Sequence, residues 1–99
     1  MKLLALDTAC SDCSAALWAD GAIAASRTVA MQRGHAEALV PMVLDVVRES
    51  AVPFSELDAV AVTLGPGSFT GLRTGLATAK GLALAHQLPV VGVTSLEAV

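Results

Sequence analysis

Asp20-Gly21, set between the extended runs Asp12 to Ala19 and Ala22 to Ala30, constrains this chain more than any other dipeptide in it. A two-residue connection of this kind needs positive φ at both positions, which Asp and Gly tolerate, and its twist matches that of two antiparallel strands. The chain therefore starts as a hairpin. A further apolar run, Lys2 to Thr8, lies ahead of it and reads as a third strand.

From His35 to Glu49 the apolar spacing becomes helical, through Ala36, Leu39, Val40, Val43 and Val47, with Met42, Leu44 and Val46 beside them. These residues cover an arc of about 200°, roughly twice what a surface helix needs, so the helix is expected to touch two walls. Pro53 is expected to stop it, and Ser55-Glu56-Leu57-Asp58 reads as a capped turn before a strand from Ala59 to Leu64. A second helix follows from Leu72 to His86, then a short strand from Val90 to Val93. Thr94-Ser95-Leu96-Glu97 has the pattern of a capping box at the start of a further helix. The order β-β-β-α-β-α-β predicts an α/β fold, a mixed sheet carrying helices.

Composition narrows the function. Of the 99 residues 55% are hydrophobic and 15% charged, which suits one compact domain. The net charge of −3, with six scattered Lys and Arg, leaves no basic stripe for a phosphate backbone. MKLLAL is read as mature sequence, because Asp7 interrupts the apolar run before it reaches the length of a secretory leader. No membrane span and no disulfide framework are expected. Cys10 and Cys13 form a C-x-x-C in the link between two extended segments, with neither a following helix nor a second pair; packing or turn roles fit better than a redox or zinc site.

The segment Leu64-Gly65-Pro66-Gly67-Ser68-Phe69-Thr70-Gly71-Leu72-Arg73 lacks the Gly-Lys-Ser/Thr ending of a Walker loop. It also lacks the glycine spacing and downstream acid of a dinucleotide fingerprint. A strand-to-helix corner explains it, and free amides at the helix start leave anion binding open. The following helix has one side suited to a sheet, with Leu72, Leu76, Ala79 and Ala83, and another made largely of Gly71, Thr74, Gly75, Thr78, Gly81 and Ala85, with Leu82 among them. Each glycine there costs about 1 kcal/mol of helix propensity relative to Ala, so close approach is implied, by a partner's helix or by a neighbouring part of the same chain. Arg73 and Lys80 share one side and read as a solvated edge.

Together, Ala5-Leu6-Asp7-Thr8, Gly34-His35-Ala36-Glu37, the 64–73 segment and the stretch from Val91 to Ala98 give the chain a resemblance to the TsaB (YeaZ) family, subunits of the bacterial machinery that makes tRNA threonylcarbamoyladenosine. The resemblance implies a ribonuclease-H-like lobe of the actin, sugar kinase and Hsp70 fold, with a five-stranded mixed sheet. It makes residues 1–99 the first of two lobes, with the second absent from the sequence. It also implies a cytoplasmic, non-catalytic subunit that activates the catalytic TsaD subunit, with the TsaE ATPase in the larger complex. A homodimer is expected, tRNA is reached only through the complex, and no cofactor binds this chain alone, ATP entering only with the assembled complex.

In such a subunit the first two helices carry the partner contact. With the faces read above, that assigns Leu39, Met42, Val43 and Val46 from one helix and Gly71, Thr74, Gly75, Thr78 and Leu82 from the other, with Gly65, Pro66, Gly67, Ser68, Thr70 and Arg73 as a signature loop. No catalytic or metal-binding residue is expected: where TsaD has a metal-binding H-x-x-x-H, this chain reads Ser95-Leu96-Glu97-Ala98-Val99. The superfamily's phosphate loop likewise lacks its glycine in Asp7-Thr8-Ala9-Cys10-Ser11, which leaves Asp7 to bond turn amides. A metallopeptidase-like or nucleotide-binding enzyme of the same superfamily is the alternative.

Overall fold

The computed structural model describes residues 1–8, 12–30, 35–65 and 69–94. Its elements run β1 (Lys2–Asp7), β2 (Asp12–Ala19), β3 (Ala22–Ala30), α1 (His35–Ser50), a 3₁₀ turn (Phe54–Glu56), β4 (Ala59–Gly65), α2 (Phe69–His86) and β5 (Val90–Thr94). The five strands form one sheet in the order β3-β2-β1-β4-β5, antiparallel among the first three and parallel from β1 through β5. This is the mixed five-stranded sheet that the sequence predicts. Asp20 and Gly21 take φ of 52° and 94°, as the two-residue hairpin requires.

Sheet register sorts the side chains onto two faces. Leu4 lies beside Leu17 and Val60, and Leu6 beside Ala15 and Val62, so these residues share one face, and all are buried. Both helices cover that face: α1 packs on β2 and β3, α2 on β4, and the two touch each other. Leu39, Met42, Val43 and Val46 of α1 and Ala79 and Ala83 of α2 complete the core. The two walls expected for α1 are therefore the sheet and α2.

Strands β1, β4 and β5 each end one residue away from where the sequence places them, and three other boundaries differ for a local reason. α1 ends at Ser50, ahead of Pro53, because Ala51 turns left-handed with φ of 59°. The Ser50 hydroxyl donates to the Val47 carbonyl at 2.7 Å and accepts from the Val52 amide at 3.1 Å. The turn expected over Ser55 to Asp58 sits one residue earlier, entered through Pro53 with no side-chain cap. Asp58 instead ties the sheet: its carboxylate accepts from the Lys2 amide at 2.7 Å while its own amide donates to the Lys2 carbonyl at 2.7 Å. That two-way link seats β4 beside β1. α2 begins at Phe69, three residues before Leu72, so the end of the glycine-rich segment is already helical.

Candidate functional site

The sequence points to the outward side of α1 and α2, so the question is which side chains remain there once the core is filled. On α1, Leu39, Val43 and Val46 are fully buried and Met42 nearly so. These four belong to the chain's own core, which corrects their assignment to a partner contact: an arc this wide serves the sheet and α2 first. Val40, Pro41 and Leu44 remain outside, with Val40 43% and Leu44 47% exposed.

α2 requires a similar correction. Gly75 is buried, and a Cβ placed there would run into the Thr8 hydroxyl and touch Val62. Its lack of bulk lets the α2 backbone settle against Thr8, just past β1, and Val62 of β4, so the close approach inferred at this glycine is internal. The substitution Gly75→Leu therefore disturbs the lobe itself and is no clean probe of pairing. Thr78 and Leu82 are half-buried, Leu82 packing against the core. The surroundings of Gly71 and the side chain of Thr74 lie outside what the structure describes.

Gly81 is different. It is exposed, and a Cβ there would meet nothing within 4 Å. Leu84, three residues on, is 83% exposed, the barest large apolar side chain in the described chain. Sequence reasoning missed it, although a signal was present: Arg73, Ala77, Lys80 and Leu84 recur at helical spacing and are all exposed, so Leu84 lies on the edge read from Arg73 and Lys80 as solvated. The bulky apolar side chains that the described helices leave exposed are thus Val40, Pro41 and Leu44 on α1 and Leu84 on α2. Ion pairs join Arg27 of β3 to Glu49 of α1, and Arg48 to Asp45 at 3.6 Å.

The signature loop is seen in part. Gly65 ends β4, whose register against β5 slips by one residue between Thr63 and Gly65. Pro66, Gly67 and Ser68 fall outside the described residues, as do the side chain of Thr70, Cys10 of the C-x-x-C pair, and the 95–99 segment. Cys13 is a buried free thiol whose pKa is raised above 9.0, first by burial and then by the nearby Asp7 carboxylate. Burial makes it a packing residue. Lys2 bonds Glu56 at 2.9 Å, a contact that ties β1 to the 3₁₀ turn and raises the Lys2 pKa. Among the described residues no three of His, Cys, Asp and Glu gather as a metal site, and no helix is long and apolar enough to cross a membrane.

Comparison with known proteins settles the family. The TsaD family, described as tRNA N6-adenosine threonylcarbamoyltransferase, matches residues 26–99. The tRNA threonylcarbamoyladenosine biosynthesis protein TsaB of Escherichia coli is 44% identical over 96 residues, covering 97% of this chain and 41% of that protein. The chain belongs to the TsaD family, in its TsaB (YeaZ) branch. The solved structure of YeaZ from Pseudomonas aeruginosa superposes with a TM-score of 0.88 at 44% identity, over 94% of this chain and 43% of that one. A tRNA N6-adenosine threonylcarbamoyltransferase from Syntrophus aciditrophicus is 32% identical, covering 98% of this chain and 33% of its own length. The chain thus spans about two fifths of its TsaB relative. The ribonuclease-H-like, actin-type α/β fold expected from the resemblance agrees with these neighbours.

Proposed function

We propose that this chain serves tRNA threonylcarbamoyladenosine biosynthesis as a non-catalytic scaffold, docking its helix layer on the catalytic TsaD subunit and thereby activating it. The observation that carries the reading is the apolar exposure that layer keeps, at Val40 and Leu44 on α1 and at Leu84 on α2. Bulky apolar side chains left bare on two packed helices suit a protein partner better than a small polar ligand. The sequence likeness to a full transferase along 98% of the chain adds a geometric reason. Two lobes of one architecture meet through equivalent helices by an approximate two-fold, each lending the other the same kind of surface.

On this reading transfer chemistry, ATP and the TsaE ATPase belong to the assembled complex, and tRNA is reached through the partner. A net charge of −3 agrees with that division. Titration of the catalytic subunit with wild type and with Leu84→Glu tests it. Leu84 touches so little of its own chain that the variant is expected to melt as wild type does while binding at least about tenfold more weakly. Equal affinities would remove the helix layer from the contact, and transfer by the catalytic subunit unaffected by this chain would remove the activating role.

A further inference from the structure

Leu84 stands in the last turn of α2, which ends at His86. Last turns fray, because their carbonyls have no amide further along the helix to accept from. A side chain 83% exposed on a fraying turn has to be ordered before it can fill a partner's pocket, and that ordering lowers affinity. Here the turn is ordered in advance, from two sides. Gln87 turns left-handed with φ of 57°, the Leu88 amide donates to the Ala83 carbonyl at 2.8 Å, and Leu88 packs against the core. On the other side the His86 ring stacks on Phe54, with centroids 4.1 Å apart and planes within 3°, and Phe54 also packs against the core. His86 is itself exposed, so the stack fills no space in the core. What it holds is the turn that carries Leu84.

We propose that His86, stacked on Phe54, is a positioning residue for the partner contact: it keeps the last turn of α2 helical, so that Leu84 meets the catalytic subunit already in place. The inference rests on the docking reading above and adds to it the residue that prepares the contact. His86 acts through the turn and need not touch the partner. The left-handed cap at Gln87 fixes where the helix stops, whereas the stack ties the same turn to the 3₁₀ segment Phe54–Glu56, a separate part of the chain. Preorganisation of this kind raises affinity without adding any contact across the interface.

A double-mutant cycle tests it, with the chain titrated into the catalytic subunit and hydrogen exchange of the Leu88 amide reporting on the turn. His86→Ala is expected to weaken binding about threefold and to speed Leu88 exchange by about the same factor, while amides of the central strands exchange as in wild type. His86→Tyr, which keeps a flat ring on Phe54, should restore both. In a Leu84→Ala background, which binds more weakly from the start, His86→Ala should speed exchange and lose no further affinity, since no side chain is left to hold ready. If Leu84→Ala binds weakly but His86→Ala binds as wild type, the proposal is overturned and the docking reading stands. Losses that simply add in the double variant also overturn it, because His86 would then act independently of Leu84. Unchanged Leu88 exchange in His86→Ala overturns it as well, the stack then holding nothing. Wild-type affinity in Leu84→Ala removes Leu84 from the contact, and the proposal falls with it.

Discussion

The two helices rest on the same sheet by opposite means. α1 is held by volume: Leu39, Met42, Val43 and Val46 fill the core beneath it, over β2 and β3. α2 is held by the absence of volume, since Gly75, Ala79 and Ala83 bring its backbone close to β4 and the end of β1. A helix anchored by side chains loses packing when one is shortened, whereas a helix anchored by its backbone is pushed off when one is lengthened. The small residues of α2 are thus spent in two ways, inward at Gly75 and outward at Gly81.

The largest effect should come from α1. Leu39→Ala empties a fully buried site and is expected to cost about 3 kcal/mol, read as a lower urea midpoint with unchanged slope. Next comes the pair of glycines. Gly75→Ala should destabilise by about 1 kcal/mol, because crowding against Thr8 and Val62 outweighs the propensity gained. Gly81→Ala should stabilise by somewhat less than 1 kcal/mol, as nothing stands in the way of the added methyl. Thermal melts showing both changes with one sign would break the distinction between inward and outward glycines. The smallest effect concerns Cys13, under the helix-covered face. Its raised pKa means the folded chain keeps the thiol proton where the unfolded chain has released it. Stability is then undiminished below about pH 9 and falls as pH rises toward the folded value. Cys13→Ala should flatten that part of the stability–pH curve.

Much of the fold was legible because its signals are local. Asp20-Gly21 announces a hairpin by its own backbone demands, and the change of spacing after residue 35 announces a helix without knowledge of its neighbours. The docking residues were harder, for a physical reason. Periodicity shows that Leu39 and Val40 are both apolar, but which of them turns inward depends on where α2 and the sheet lie, a matter of tertiary packing. Gly75 and Gly81 look alike in sequence and differ only in what faces them. Leu84 was hidden by its company, one apolar residue on a side otherwise carrying Arg73 and Lys80. That both described helices cover one face of the sheet follows from which side the crossovers take, information spread across the whole topology.

The stack of Phe54 on His86, with ring centroids 4.1 Å apart and planes within 3°, joins the 3₁₀ turn that leads into β4 to the last residue of α2. The lead-in and the close of one crossover are therefore clasped at a single spot. α2 is thus fixed at two places along its length, by stacked rings at its last residue and by the close seat of Gly75 against Thr8 and Val62.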